Sequence, residues 1–397
     1  MSTHPTFRAA VPSLLIALAA CGGEGGAASA IRVDTLPNGA VAVHNPEQGL
    51  WTEKNAWRAV EDLRLGQTDG TGPDVFGNPT ALEVDAYGRL YVMDPQTKEV
   101  RVFGADGTHV RTLGRKGGGP GELEQPIGLT MGPQGALWVV DAGNARYTVW
   151  DTAGTLRTTV PRRGGHVQPW PGRFDRQGRL WDLGIGALPQ GGAPELLRVD
   201  PVSGRTESMP LPTFRSETFQ LTQGNSRMSM SVPFTPSLSW ALDADGRVWS
   251  GVSDRYRLVL HEPGGDTLRV VERASAPVPV TGAEMDSIPV LYKWFTDQGG
   301  KLDLSRVPDH KPLFETFHVD DQGWLWVRPS MPADAEQGGL DVFDPEGHYQ
   351  GRLALPREVA GSMGLRIRGN YLYAIVQNED GIPQIVRMRI EGRPPRA

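Results

Sequence analysis

The chain has 397 residues, 46 acidic against 40 basic, for a net charge of −6, and it contains 50 Gly, 33 Pro and a single Cys. An acidic balance offers nothing to nucleic acid, whose binding is dominated by basic surface, and one cysteine rules out a disulfide-stapled scaffold. So many Gly and Pro residues among runs rich in Val and Leu describe turn-dense β structure rather than disorder.

His4 and Arg8 precede a run from Ala9 to Ala20 that is apolar apart from Pro12 and Ser13. Such a run is too short for a hydrocarbon core, which takes ~20 residues, so residues 1–20 read as a signal peptide. Its removal deletes Arg8 and no acidic residue, taking the charge from −6 to −7. Leu18-Ala19-Ala20-Cys21 resembles the bacterial lipobox, where cleavage before the Cys leaves its thiol to carry diacylglycerol. The resemblance implies a covalent lipid on Cys21, with 21–30 as the lipidated Cys and a flexible Gly-rich tether. A tether of that composition reaches ~15–18 Å, close to the bilayer without embedding the rest of the chain. Gly22 stands where an Asp would retain a Gram-negative lipoprotein at the inner membrane, which favours outer-membrane placement in a bacterial envelope.

The next residues, Ile31-Arg-Val33 and Ala40-Val-Ala-Val43, alternate around Leu36-Pro37-Asn38-Gly39 and predict an Asn-Gly hairpin turn. Beyond them a pattern of turn, Gly, apolar residue and aromatic recurs. Its copies are Asp85-Ala-Tyr-Gly88-Arg-Leu-Tyr91, Gly132-Pro-Gln-Gly135-Ala-Leu-Trp138, Asp175-Arg-Gln-Gly178-Arg-Leu-Trp181, Asp243-Ala-Asp-Gly246-Arg-Val-Trp249, Asp320-Asp-Gln-Gly323-Trp-Leu-Trp326 and Asn370-Tyr-Leu-Tyr373. From Gly88 to Asn370 the intervals are 47, 43, 68, 77 and 47 residues, the mark of a repeat array with two insertions. Each copy reads as a hairpin flanked by two further strands, and four antiparallel strands repeated radially make a β-propeller.

The expected fold is an all-β, six-bladed β-propeller of four-stranded antiparallel blades over 31–397, with blades near 79–113, 126–160, 169–211, 237–273, 314–355 and 361–391. The last unit lacks its outer strand. Trp57-Arg-Ala-Val-Glu-Asp-Leu-Arg-Leu-Gly66 copies the outer strand of the first unit, Thr108-His-Val-Arg-Thr-Leu-Gly114, so residues 57–66 are expected to close the ring and remove its sheet edges.

Two of the loops that enter a blade are long, 212–236 and 274–312. Long loops in a compact repeat are often functional, and these are expected to be neighbours overhanging the channel mouth. The second should carry one short helix: Thr281 and Glu284 have capping-box spacing, and Met285, Ile288, Leu291 and Phe295 recur at helical intervals. Pro289 leaves two alternatives, a later start capped by Asp286 or Ser287, or a kink. The helix either packs its apolar face on the propeller or acts as a lid or partner surface with Lys293 and Trp294 toward the channel. Candidate ligand contacts are Gln125, His166, Gln168, Arg215, Arg227, Lys293, Trp294 and His310.

Over residues 77–154 the chain resembles NHL-repeat propellers, and its wider pattern looks like the bacterial six-bladed propeller lipoproteins. The most recognisable piece is Gly114-Arg-Lys-Gly-Gly-Gly-Pro-Gly-Glu122, the segment such lipoproteins carry between one blade's outer strand and the next blade's inner strand. This supports fold and location more than activity, since fold does not imply function.

Chemistry-bearing motifs are weak. Pro37-Asn38-Gly39 is also found at metal sites of gluconolactonase-like hydrolases, but the accompanying Glu-Gly-Pro has no counterpart. Asp-Ala-Asp-Gly246 and Asp-Asp-Gln-Gly323 are fragments of calcium loops that fall in the repeat's own turn. The eight His show no ligand spacing, and a zinc-dependent lyase needs three convergent ligands. The function expected is a lipid-anchored envelope module that binds a protein, peptide or glycan at the channel mouth. It is expected to be a monomer with no nucleic-acid partner, no metal, no catalytic residue and no cofactor beyond the lipid on Cys21. The alternative is a metal-dependent hydrolase or lyase of the gluconolactonase or peptidylglycine-lyase type.

Overall fold

One aspartate organises the recurrent turn. In the computed structural model, which describes residues 30–394 apart from 69, 166–169, 186–193, 225 and 363, Asp175 Oδ1 accepts the amides of Gln177 at 3.0 Å and Arg179 at 2.9 Å. Its Oδ2 accepts Arg179 Nε at 2.6 Å and Trp181 Nε1 at 2.8 Å. Asp85 and Asp243 repeat the arrangement with Arg89 and Arg247 at 2.6 and 2.7 Å. Asp320 does so with Trp326 Nε1 at 3.0 Å. Gly178, at φ +74, supplies the left-handed residue that the turn requires. The spacing Asp-x-x-Gly-Arg-x-Trp is therefore a hydrogen-bond hub, and Asp243 and Asp320, the first aspartates of the turns at Gly246 and Gly323, each accept two amides of the turn.

These turns join the strands of six sheets arranged as a six-bladed propeller. Blade one comprises Ala81–Val84, Leu90–Asp94, Glu99–Phe103 and His109–Leu113; blade two comprises Pro126–Met131, Leu137–Asp141, Arg146–Trp150 and Leu156–Pro161. Blade three is built from Arg173–Phe174, Leu180–Ile185, Pro194–Val199 and Thr206–Pro210, and blade four from Leu238–Leu242, Val248–Val252, Arg257–His261 and Thr267–Arg273. Blade five holds Phe314–Val319, Leu325–Pro329, Gly338–Phe343 and Tyr349–Leu355; blade six holds Arg366–Arg368, Tyr371–Gln377 and Pro383–Glu391. Trp138, Trp181, Trp249 and Trp326 are buried between neighbouring blades, where Trp138 packs on Phe174 of blade three and Trp249 lies in one cluster with Phe314 of blade five.

An N-terminal strap crosses the outer edges of three blades. Strands β1 (Arg32–Thr35) and β2 (Val41–Asn45) form the expected hairpin, but β2 also pairs in parallel with the outer strand of blade four, from Val41 opposite Arg269 to Asn45 opposite Arg273. That blade thus has six strands. The buried Asn45 side chain donates to the carbonyls of Glu272 and Gly347 and accepts the Tyr349 amide at 2.7 Å, joining blades four and five. The strap then passes blade five, where Trp51 N–H donates to the Gln350 carbonyl at 2.6 Å. It ends in β3 (Arg58–Leu65), antiparallel to Pro383–Glu391 as the outer strand of blade six.

A second lock lies at the other terminus. Blade five has Trp324 where blades one, three and four carry the hub arginine, and Arg393 takes that place from 73 residues away, with Nη2 2.5 Å from Asp320 Oδ2. Both side chains are fully buried, and the guanidinium stands 5.2 to 5.9 Å from the ring centres of Trp57, Trp324 and Trp326. Removing one partner of a buried pair leaves an uncompensated charge, at about 3–5 kcal/mol. Arg393→Met should therefore lower stability by that amount in denaturant titration, and adding Asp320→Asn should restore at least half. An unchanged midpoint in the single variant would show that the pair does not hold the ring.

Candidate functional site

The Asp turns occupy one face of the propeller, and the loops that enter each blade occupy the other. On this second face the two insertions fold together. Residues of the first form a hairpin, Thr218–Gln223 with Ser226–Ser231. The second carries α1 (Gly282–Leu291) and α2 (Lys293–Asp297). Thr281 caps α1 in a full capping box with Glu284, and the helix runs through Pro289 before breaking at Tyr292. The start at Thr281 stands, and the later start does not. Phe219 and Val232 of the first insertion share one buried core with Ile288, Phe295 and Val307 of the second. The outward side of the helices leaves Val290, Leu291 and Trp294 exposed at 74, 67 and 46%.

Of the candidate contacts, Trp294, Arg215, Arg227 and His310 are exposed on this cap. Lys293 Nζ is engaged by the Asp297 carboxylate at 2.6 and 2.9 Å. Gln125 stands on the loop into blade two, across the ring from the cap, with its amide on Asp141 at 2.8 Å. His166 and Gln168 lie outside the described residues.

Between the cap and blades four and five is a cleft of about 450 Å³ lined by Phe234, Glu284, Lys311, Glu315, Met331 and Arg357. Lys311 Nζ sits 2.5 Å from Glu284 Oε1, donates to the Met331 carbonyl at 2.9 Å and faces the Phe234 ring at 5.8 Å. Burial opposes ionisation of Glu284, but Lys311 and the Thr281 donors hold its carboxyl below the usual value. Phe234 has φ +58, a left-handed conformation that costs a bulky residue ~1–3 kcal/mol and clusters at ligand clamps.

Beneath the cleft the axial channel has an upper chamber of about 240 Å³ walled by the innermost strands of all six blades. Arg173, His318 and Arg366 line it, none of them a sequence candidate, because each lies on an innermost strand with no spacing signal. Enclosure, then the Arg328 and Arg366 charges, push the His318 imidazole down to about 4. Among the described residues no three His, Cys, Asp or Glu side chains are grouped so as to hold a metal ion. Asn38 donates to the Thr267 carbonyl at 3.1 Å on the outer edge of blade four, away from the axis. Gly114–Glu122 is a braced turn, with Glu122 Oε2 accepting the Gly119 amide at 2.7 Å and Arg146 donating to the carbonyls of Gly118, Gly119 and Glu122.

No protein-family model and no curated protein matches the chain. Solved structures do match its fold. A candidate exported protein from Bacteroides fragilis is 12% identical with TM-score 0.51, covering 88% of this chain and 99% of its own. A DUF4221 family member from Bacteroides vulgatus is 10% identical with TM-score 0.48, covering 85% and 99%. Virginiamycin B lyase from Staphylococcus aureus is 10% identical with TM-score 0.45, covering 84% and 99%. Likeness at this identity bears on the fold alone, and the six blades are read from the sheets of this chain.

His318 gives the site a pH signature. Its folded-state value of about 4 lies below the ordinary ~6.5, so the unfolded chain binds the extra proton between those limits. The contribution is complete above about pH 6.5 and is lost as pH falls toward 4. Denaturant titrations at pH 7, 5.5 and 4.5 should show His318→Gln losing on the order of 2–3 kcal/mol less than the parent over this range. Parallel curves would remove the role of His318.

Proposed function

We propose that this chain is a lipid-anchored β-propeller of the bacterial envelope, with outer-membrane placement favoured, that binds a protein, peptide or glycan at its channel mouth. The observation that carries this reading is the cap. Two insertions from different blades close on a core of their own, yet they leave Val290, Leu291 and Trp294 in water, and the cap borders a cleft on blades four and five. An apolar helix face rimmed by polar groups is the usual composition of a docking site.

The lipobox-like Leu18–Cys21 segment supports the anchor, and strand direction supports its geometry. Because β2 ends beside Arg273, where the second insertion leaves blade four, β1 begins at the cap end of the propeller. A tether joined there keeps the binding face near the bilayer. The repeat supports an NHL-like origin. No helix among the described residues is long and apolar enough to cross a membrane. A metal-dependent hydrolase or lyase would need convergent ligands, and the described residues group none.

Two experiments test the two halves separately. Replacing 212–236 and 274–312 together with four-residue Gly/Asn turns should preserve the propeller and abolish capture of whatever envelope partner crosslinks to the parent chain. Removing either alone should aggregate, because it bares Phe219 or Ile288 and Phe295. Trp294→Ala should weaken the association at least tenfold, and a partner retained without both insertions would place the site elsewhere. For the anchor, Cys21→Ser should leave unlipidated protein in the aqueous phase of a detergent partition. Continued partition into detergent with labelled lipid attached would overturn the lipid assignment and leave the cap untouched.

A further inference from the structure

The innermost strands of blades three and six face each other across the axis; blade three presents Arg173, and blade six presents Arg366 and, in the lower funnel alone, Arg368. Arg173 and Arg366 both line the upper chamber and also the lower funnel, a cavity of about 340 Å³ that opens on the Asp-turn face, so they form the waist of the channel. The two sides of this waist differ in charge. Glu83 and Asp321 belong to the lower funnel. Among the described residues the one carboxylate lining the upper chamber is Asp320, already taken by Arg393 and Trp326. What remains above the waist among the described residues includes two guanidinium groups, His318 and the hydroxyls of Thr80 and Thr316.

These groups are incompletely satisfied. Glu83 meets Arg366 at 3.4 Å, but Arg366 Nε is buried without a partner, as is Thr80 Oγ1. Arg173 donates Nη1–H to the Leu242 carbonyl at 3.0 Å, and the structure records no ion pair for it among the described residues. Burial and the like charge of Arg366 both work against the Arg173 cation, opposed by Glu83, Asp243 and Asp321. Asp243 is committed to Arg247 at 2.7 Å. An enclosed guanidinium facing a second one is costly unless an acceptor of opposite charge joins them. The planar fork of arginine matches oxygen anions two at a time, and unsatisfied buried polar atoms in a chamber of this size mark a place for an ordered group.

We propose that the upper chamber is a binding site for a small oxyanion, a carboxylate or phosphate group held between Arg173 and Arg366 with His318 and Thr80 at its sides. The site goes beyond the binding function of the cap and stands whether or not the cap docks a partner.

Calorimetry on the full chain tests it, with sodium phosphate and sodium acetate titrated separately into Bis-Tris chloride buffer and ionic strength held with sodium chloride. One of the two should bind saturably with one-to-one stoichiometry, and its identity assigns the anion class. Arg173→Gln, and the charge-balanced pair Glu83→Gln with Arg366→Gln, should each weaken binding at least tenfold. Thr80→Val removes a hydroxyl without altering charge and should weaken it two- to fivefold, which decides the matter if the arginine variants fail to fold. Absence of binding by both anions, affinity unchanged in Arg173→Gln, or affinity unchanged in Thr80→Val where the arginine variants do not fold, would overturn the proposal.

Discussion

The Arg393–Asp320 pair is where the two ends of the chain and the interior of the ring meet. Asp320 belongs to the turn of blade five, Arg393 follows the last strand of blade six, and Trp57 immediately precedes the strand that completes blade six. A propeller has no central core to fall back on, since each blade packs only on its neighbours, so the seam decides whether the array is a closed ring or an open stack with bare edges. This seam is doubly secured, by β3 in the sheet and by a charge pair that water cannot reach. The strap extends the same logic, because Asn45 ties blade five to blade four on its way to blade six.

That closure leaves the two faces free to differ. On one face every Asp hub spends its carboxylate on two amides and an arginine, with a tryptophan N–H added at Asp175 and Asp320 and a tyrosine O–H at Asp85, which leaves little chemistry for a ligand. The opposite face carries the connections that a repeat does not constrain, and there the chain places its two insertions. Their packing on each other explains how long loops retain a fixed shape: the core of Phe219, Ile288 and Phe295 gives them stability independent of the blades. The strained Phe234 and the Lys311–Glu284 pair lie where this cap meets the propeller.

Electrostatics divides the channel in the same direction. Carboxylates collect toward the Asp-turn face, while Arg173, His318 and Arg366 face the chamber below the cleft. Enclosure and the Arg328 and Arg366 charges keep His318 neutral, so the chamber holds fixed cations together with an uncharged donor. Cap and chamber follow one another along the axis.

The sequence alone determined the six-bladed ring, because the hub spacing and the alternation of strands are local facts that recur: Asp175, Gly178, Arg179 and Trp181 lie within one turn and its strand. It also determined the closing strand, since residues 57–66 repeat an outer strand found elsewhere, and the capping box at Thr281 and Glu284. Only the tertiary structure decided the rest. The hairpin at 31–43 was legible, but its parallel docking on blade four depends on an edge 228 residues away, where Val41 meets Arg269 and Asn45 meets Arg273. Nothing near Arg393 marks it as the missing hub arginine of blade five. Arg173, His318 and Arg366 occupy unrelated positions along the chain and become neighbours because six separate strands converge on one axis. Local backbone chemistry repeats in the sequence; convergence on an axis is a property of the closed ring and leaves no spacing to read.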